Sequence, residues 1–470
     1  MKRVSLPWLT FLTVSIGTFM STSSAGIVNT ALPTLSRVLD EDLSTSKWIV
    51  SSFLLTVSAL LPVAGKFSDI YGSIRLYNLG FFIFVLGSAC IGASNSLEAI
   101  VGFRILQAVG STALVTNNVA ILSSAFPPSQ RGRAIGLLVA VVGVGSLSGP
   151  ALSGLILQFA SWRWLFWLDI PVGLLGGTLA LLVLPRKPYT PAKSRVNGLE
   201  AMGFAATAIC MILVLSQAPD WGWLDWRTVG LAIAAFLSGS WFIQKQQRTK
   251  EPLLDTSLFQ NPTLSISAFT SYLSFAIAYF TLVLMPFYLD QVFQMQPGQI
   301  GLLMTYYPLA LALFSPLGGW LSDRYGSRLL LAMGALLIGI GQLGIVLQSN
   351  LSPLWQVIGI LVIQGFGMGL FSAPNNTCII TAVPREKIGT GGSILAFVRV
   401  FGQVTGTTLG VALFQLGAGS TTASSTTAFL VGFRLVFSVG FVFALVMLYL
   451  SMQLHQTPTE VDHSKNFDEP

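Results

Sequence analysis

The sequence predicts an all-α polytopic membrane protein with fourteen membrane-spanning helices. Of its 470 residues, 53% are hydrophobic and only 9% are charged, and the mean hydropathy is +0.73. An average soluble domain has about 25% charged residues, so this chain has too few charges to cover a water-exposed surface. The apolar residues form long unbroken runs, whereas the strands of a membrane barrel would alternate over about 10 residues. The composition therefore excludes both a soluble and a disordered protein.

Fourteen stretches of the chain are apolar over about the 20 residues that a helix needs to cross a bilayer. The first follows Lys2 and Arg3 as a signal peptide would, but it stays apolar to about Leu35, so we interpret it as a helix. The predicted spans, numbered 1 to 14, cover residues 7–33, 47–66, 76–95, 98–124, 133–158, 163–184, 199–217, 228–246, 264–289, 299–321, 328–348, 353–380, 389–415 and 427–453.

Basic residues in the loops lie mainly on one side of these spans. Eighteen lie on the side of the N-terminus, and only Arg37, Lys47, Arg163 and Arg227 lie on the other. Because Lys and Arg accumulate in cytoplasmic loops, both termini are predicted to be cytoplasmic, including a tail over residues 454–470. We expect a multi-pass protein of the cell (inner or plasma) membrane, in contact with the lipid bilayer.

Several chemical functions find no support in the sequence. Cys90, Cys210 and Cys378 lie inside apolar runs without metal-binding or disulfide spacing, and His455 and His463 lie in the tail. No G-x-x-x-x-G-K-[ST] loop is present, which argues against an ATP-driven pump. The net charge of +7 is spread over short loops rather than gathered in a basic stripe. We therefore expect no enzymatic activity, no cofactor, no metal and no nucleic acid partner.

The chain repeats itself at an offset near 255 residues. The segment from Gly65 to Ser73 matches the segment from Gly319 to Ser327. Gln107, Gly110, Asn118, Gly145 and Gly149 each match the same residue type 257 positions later. Parallel repeats of this kind suit two halves that rock about a site at the midplane. The predicted parts are a six-helix bundle at 1–184, a linker with two extra spans at 185–263, a second bundle at 264–453 and the tail at 454–470.

With these motifs the chain resembles the major facilitator superfamily, specifically its fourteen-helix drug:proton antiporters. The resemblance is carried by the Gly65–Arg75 loop, Arg104-Ile-Leu-Gln107, Gly145-x-x-x-Gly149-Pro150 and Trp162-Arg-Trp164-x-Phe166. It implies the major facilitator fold and a secondary active transporter that exports amphiphilic small molecules by proton-coupled alternating access. It also implies that Gly145, Gly149 and Pro150 form the antiporter motif, a flat helix-packing face on span 5.

The resemblance assigns a cytoplasmic gate to the loop after span 2 and to its copy after span 10. An acid at a helix end can pair with an arginine or a helix dipole in one of two conformations, and so act as a latch. Alternatively these residues are only topology-setting charges, although topology alone does not require an acid. The gate residues are Gly65, Asp69, Gly72, Arg75, Asp323, Arg324 and Arg328.

Charged residues inside the spans point to a proton-coupling site. A charge at mid-helix costs about 2.5–3.5 kcal/mol and must face protein or water. The resemblance places Arg104 at the cavity and links it to proton movement; the alternative is an arginine that snorkels to the interface. Related exporters usually have an acid in span 1 where this chain has Ser24. We therefore predict Asp169 in span 6 as a substitute proton site, and Asp290 in span 9 as a more exposed one, unless both are interfacial acids in wet surroundings.

The substrate is expected to bind between the two bundles. Arg104 and Arg399 are positive and no deep acid clearly opposes them, so we expect neutral or anionic amphiphiles. The alternative function is a facilitator or solute uptake carrier of the same fold without proton coupling, which the missing acid at Ser24 allows. We expect a monomer. The cavity candidates are Asn29, Phe53, Gln107, Asn117, Asn118, Tyr279, Tyr306, Tyr307, Asn375, Arg399 and Gln403.

Overall fold

A computed structural model describes residues 6–184, 198–222, 224–249, 256–348, 353–383, 388–419 and 425–454 of the chain. The predicted tail at 455–470, with both histidines, and residues 185–197 of the predicted linker lie outside these ranges. Within them the structure is helical, without a β-strand, which confirms the predicted all-α class.

Fourteen main helices, α1 to α14, correspond one to one to the predicted spans. They are Leu6–Leu39 (α1), Trp48–Tyr71 (α2), Ser73–Ala93 (α3), Leu97–Ala125 (α4), Pro128–Phe159 (α5), Trp164–Trp167 with Asp169–Val183 (α6), Gly198–Trp221 (α7), Trp226–Arg248 (α8), Pro262–Gln291 (α9), Pro297–Met304 with Tyr306–Tyr325 (α10), Ser327–Val346 (α11), Leu354–Thr381 (α12), Ile388–Gly419 (α13) and Ser425–Gln453 (α14).

Length and composition support a membrane-spanning role for these helices. Among the described residues, twelve are both long and apolar enough to cross a bilayer, and α2 and α7 carry shorter apolar stretches, Trp48–Leu61 and Gly198–Val214. Both of these helices run for 24 residues in full. At 1.5 Å per residue, such a helix is about 36 Å long and exceeds the hydrocarbon thickness.

Spans 6 and 10, which the sequence predicts as unbroken, are each divided in two. The first segment of α6 ends at Trp167 and the first segment of α10 ends at Met304. Pro171 and Pro308 follow four residues later and have no N–H to donate to those carbonyl groups, so the helical hydrogen-bond ladder is interrupted there. In α6, the break places Asp169 in the first turn of the second segment.

The sequence repeat is visible as a repeat of local geometry. Gly72 between α2 and α3 has φ of 93°, and Gly326 between α10 and α11 has φ of 85°. Residues with a Cβ are strained in this backbone region, so glycine at both positions allows the two helices to meet in a one-residue turn. The two turns lie at the same end of the molecule, which we name the gate-motif end.

Helix packing follows the same repeat. In the first bundle, α1 packs against α5, α3 against α4 and α2 against α4; in the second, α9 packs against α13, α11 against α12 and α10 against α12. The bundles meet through α2 with α13 and α5 with α10, which are equivalent seams, and through α1 with α9. These pairings place α1 and α9 at the centre of the molecule.

The two extra helices lie beside one of these seams. Helix α7 packs against both α2 and α13, and α8 packs mainly against α7. Helix α8 exposes large apolar side chains along its length, among them Ile233, Phe236 and Leu237. Such a surface suits lipid rather than water.

Candidate functional site

A polar network occupies the interior of the first bundle, around Arg104 on α4. Arg104 is 1% exposed, and its guanidinium donates to the backbone carbonyl of Ile49 at 2.9 Å, to Ser24 at 3.2 Å and to Gln107 at 2.6 Å. It also lies 4.3 Å from the ring centroid of Phe53. This arginine is therefore held by hydrogen bonds and a cation–π contact within the protein, and it does not snorkel to the interface.

The network continues from Arg104 to Asp169 on α6. The Gln107 amide donates to Ser88 at 2.6 Å, and Ser88 donates to the Asp169 carboxylate at 3.3 Å. A longer contact of 3.4 Å joins the Gln107 amide directly to that carboxylate. Asp169 and Arg104 are close enough to attract each other electrostatically. Two of the three predicted proton-coupling residues therefore belong to one network.

The network also includes the position where related exporters carry an acid. Ser24 on α1 accepts a hydrogen bond from Arg104, so a carboxylate at this position would face the guanidinium. In this chain the nearby acid is instead Asp169, which approaches Arg104 from α6 through Gln107 and Ser88. The structure therefore contains one acid within this network, although not on the helix where the family pattern places it.

The second bundle has no charged counterpart of this network among its described residues. The positions equivalent to Arg104, Gln107 and Ser88 hold Leu361, Gln364 and Gln342. Gln364 accepts from Thr281 at 2.9 Å, but its nitrogen and both amide atoms of Gln342 have no partner in the described part of the chain. The halves share a fold but not this polar chemistry.

Tyr279 on α9 lies at the centre of a second cluster, between the bundles. Its hydroxyl lies beside the Asn29 amide of α1, without the geometry of a normal hydrogen bond, and within electrostatic range of Arg104, Arg399 and Tyr307. Asn29, Tyr279 and Tyr307 are 2%, 6% and 5% exposed. With Arg104 on α4 and Arg399 on α13, they come from five helices, so both halves contribute to the cluster.

Three predicted cavity amides instead connect helices within one bundle. Asn117 on α4 accepts a hydrogen bond from Ser68 on α2, and Asn118 donates to Thr18 on α1 at 3.4 Å. In the second bundle, Asn375 donates to the Ser267 carbonyl at 3.0 Å. The repeat of Asn118 and Asn375 thus corresponds to equivalent links, from α4 to α1 and from α12 to α9.

Two further cavity candidates are neighbours in sequence of members of the central cluster. Tyr306 is 38% exposed at the break in α10, next to the buried Tyr307. Gln403 lies one turn beyond Arg399 on α13 and is partly buried.

The antiporter motif is a close contact between α5 and α1. A Cβ added to Gly149 would lie 2.9 Å from the Gly26 backbone, and one added to Gly145 would collide with Thr22. Pro150 lies inside the same helix and packs at Gly26 as well. This contact reaches the α1 segment that carries Ser24, so the motif supports one wall of the polar network.

The gate motif occupies the turns at the gate-motif end. The backbone of Asp69 and of Asp323 lies in the last turns of α2 and α10, but their side chains lie outside the described part of the structure. The side chains of Arg75, Arg324 and Arg328 are exposed there, and Gly65 lies beside Thr116 of α4. The proposed latch pairs stay a prediction.

Asp290, the third predicted proton site, lies at the opposite end of the molecule. Its carboxylate forms an ion pair of 2.9 Å with Arg37, which joins the end of α9 to the end of α1. At the same end, a Cβ added to Gly154 on α5 would lie 2.8 Å from Gly301 on α10. The two halves are therefore closed against each other at this end.

Sequence reasoning missed two residues that contact the predicted proton-coupling residues, Ser88 and Arg37. Ser88 bridges Gln107 and Asp169, and an isolated serine in an apolar span carries no sequence signal of that role. Arg37 is one of the four basic residues on the minority side of the spans, and this exceptional position was a usable signal.

The fold and the polar interior together define a multi-pass membrane transporter with two repeated six-helix halves. The family model of the Major Facilitator Superfamily matches residues 14–261 and 264–469. The chain belongs to this superfamily, and it is a transporter rather than an enzyme.

Relatives over most of the chain include transporters and drug exporters. The riboflavin transporter RibZ of Clostridioides difficile (strain 630) is 35% identical over 400 residues, which cover 85% of this chain and 86% of the relative. The tetracenomycin C resistance and export protein of Streptomyces glaucescens is 30% identical over 85% of this chain and 74% of its own. The multidrug resistance protein Stp of Mycobacterium tuberculosis (strain CDC 1551 / Oshkosh) is 28% identical over 86% of this chain and 75% of its own.

Solved structures show the same fold at low sequence identity. A bacterial homologue of the human lysosomal transporter Spinster, in an inward-facing and unoccupied conformation, superposes with a TM-score of 0.67 at 12% identity. The match covers 96% of this chain and 97% of the other.

Proposed function

We propose that the chain is a proton-coupled exporter of amphiphilic small molecules that works by alternating access in the cell membrane. The observation that carries this proposal is the network from the buried Arg104 to the partly buried Asp169. A carboxyl group that can exchange its proton beside a fixed cation is what a coupling site requires. The relatives named as resistance and export proteins support the direction of transport.

The coupling step depends on whether the Asp169 carboxyl group near Arg104 is ionised or protonated. An ionised Asp169 stabilises the guanidinium through Gln107 and Ser88, and a protonated Asp169 leaves Arg104 with only neutral partners. The free energy of the network therefore changes with each proton bound, in a region that α5 and α1 share through the antiporter motif. A change in this region can favour one arrangement of the two halves over the other.

The orientation belongs to the same proposal. The excess of basic residues on one side supports a cytoplasmic location of both termini, with the gate-motif end on the cytoplasmic side. The closed end with Arg37 and Asp290 then faces outward.

Transport in proteoliposomes under an imposed pH gradient tests this function. A gradient of one pH unit can sustain about a tenfold concentration ratio in a one-to-one exchange, because each pH unit is about 1.36 kcal/mol. We expect an amphiphilic dye to accumulate against its gradient with the wild-type protein. We expect Asp169→Asn to lose this accumulation but to keep the exchange of labelled for unlabelled dye.

Asp42→Asn is the matched control, because Asp42 caps a short helix by accepting from the Thr45 backbone N–H and asparagine caps as well. Accumulation that persists in Asp169→Asn would remove Asp169 from the coupling mechanism.

A facilitator or uptake carrier without proton coupling is the second candidate. Ser24 at the usual acid position favours it, as does a relative named for riboflavin transport rather than for resistance. Wild-type protein that equilibrates the dye without responding to the pH gradient would support this function instead.

A further inference from the structure

The two arginines nearest the centre of the molecule differ in how their charges are compensated. Arg104 donates three hydrogen bonds and lies near Asp169. Arg399, in the middle of α13, makes no hydrogen bond and no ion pair with any described side chain, and its Nε is buried without a partner. Its neighbours are the ring of Phe275, with a centroid 5.6 Å from the guanidinium, and the hydroxyl of Tyr279.

An unpaired guanidinium inside the membrane is an expensive feature. Arg399 is partly buried, and charged side chains in membrane helices normally pair with an opposite charge or face a pathway. The described acids of the interior do not fill this role, because Asp169 belongs to Arg104 and Asp290 pairs with Arg37. Because Arg399 is only partly buried, its unpaired guanidinium is open to an anionic group from outside the described part of the chain.

The first bundle contributes an unpaired amide near Tyr279. Both amide atoms of Asn29 on α1 are buried and have no hydrogen-bond partner among the described residues. The Asn29 amide lies beside the Tyr279 hydroxyl, and Arg399 lies within electrostatic range of that hydroxyl. Asn29 is on α1 of one half and Arg399 is on α13 of the other. A group bound there would contact α1 of one bundle and α13 of the other, as an alternating-access site requires.

Aromatic side chains lie near Arg399 on α9 and α13. Phe275 and Tyr279 on α9 lie next to Arg399, Tyr307 lies next to Tyr279, and Tyr272 stacks on Phe401 of α13 at 5.7 Å. Aromatic rings favour stacked or edge-on contact with other rings. The surroundings therefore suit a ligand with a flat apolar body and one anionic group.

We propose that the region between Asn29 of α1 and Arg399 of α13 binds aromatic anions, and that these two side chains recognise the anionic group. This inference rests on the proposed transport function and specifies its substrate class. An ammonium group at the same place would face an uncompensated guanidinium, so aromatic cations bind more weakly. A guanidinium holds a carboxylate through charge-assisted hydrogen bonds, which gives the preference its strength.

Binding of three probes with one ring system tests the proposal. Pyrene-1-carboxylate, pyrene-1-carboxamide and pyrene-1-methylammonium are added to the full chain in phosphatidylcholine vesicles with gluconate in place of chloride. Binding is followed by energy transfer from the tryptophans of the protein. We expect the carboxylate to bind at least tenfold more tightly than the ammonium, with the carboxamide between them.

Substitutions separate recognition from structure. Arg399→Gln should remove the preference for the carboxylate while it leaves carboxamide binding unchanged, and Arg399→Lys should keep part of the preference. Arg434→Gln is the control, because Arg434 already donates to the Gln348 carbonyl at 3.0 Å. The proposal is overturned if Arg399→Gln keeps the preference, or if it weakens all three probes equally.

Two further arms identify the source of the anion. If chloride at 150 mM abolishes carboxylate binding, or if adding 20% phosphatidylglycerol does so, the natural occupant is an inorganic ion or a lipid headgroup and the substrate class is wrong. Failure of the transport proposal looks different: the carboxylate preference persists, but no probe moves across the membrane under a pH gradient.

Discussion

The ion pair between Arg37 and Asp290 should bias the transporter toward the conformation that is closed at the end opposite the gate-motif end. Arg37 is 60% exposed and Asp290 is 14% exposed, so the pair is neither fully exposed nor fully buried. Exposed pairs contribute about 0–1 kcal/mol, and breaking a fully buried pair costs about 3–5 kcal/mol. Because one partner is largely solvated, we expect about 1 kcal/mol, or roughly a fivefold change in the ratio of closed to open molecules.

Asp290→Asn removes the attraction while it keeps the size of the side chain. It also removes an acid from the last turn of α9, where the helix dipole disfavours negative charge, so the helix itself should not be weakened. The assay is maleimide labelling of a cysteine at Ile300, a buried position on the α10 segment that packs against α5, in a background without the native cysteines. Labelling should become about five times faster in Asp290→Asn.

The exchanged pair Arg37→Asp with Asp290→Arg is the control and should restore slow labelling. In about 1 M salt, where the Debye length falls to about 3 Å, the wild type should approach the single variant. Equal labelling rates in the wild type and Asp290→Asn at low salt would show that the pair does not contribute to closure.

Two other substitutions follow from the contacts around α1. Gly149→Ala places a methyl group 2.9 Å from the Gly26 backbone and should lower the thermal midpoint in detergent through an overpacking cost of about 1–3 kcal/mol, whereas Gly102→Ala, which meets nothing within 4 Å, should not. Ser24→Asp places an acid beside Arg104 and should increase transport of a permanently cationic dye relative to Ser24→Asn; equal transport by both variants would contradict the electrostatic reasoning.

The helices were predictable because each span carries its own signal in composition and length. All fourteen main helices lie where apolar runs predict them, and the repeat at Gly72 and Gly326 has the same backbone conformation in both halves. The breaks in α6 and α10 were harder to predict. Pro171 and Pro308 each remove a hydrogen bond there, but Pro33, Pro150 and Pro374 lie inside helices that continue without a break.

The site was predictable only as a set of residue types. Arg104, Gln107 and Asp169 were identifiable because polar groups in a membrane span are costly, but their connection through Ser88 depends on how α3, α4 and α6 pack. For the same reason, the sequence could not distinguish Asn118 and Asn375, which link neighbouring helices, from Asn29, whose amide is unpaired.

The position of α7 makes the two sides of the transporter unequal. This helix covers the seam between α2 and α13, and no described helix covers the equivalent seam between α5 and α10. A hydrophobic compound in the lipid phase therefore contacts the seam between α5 and α10 directly, whereas an extra helix separates it from the seam between α2 and α13. Without α7 and α8, the twelve remaining helices would expose the two seams to lipid equally. The two extra helices leave only the seam between α5 and α10 uncovered by a described helix.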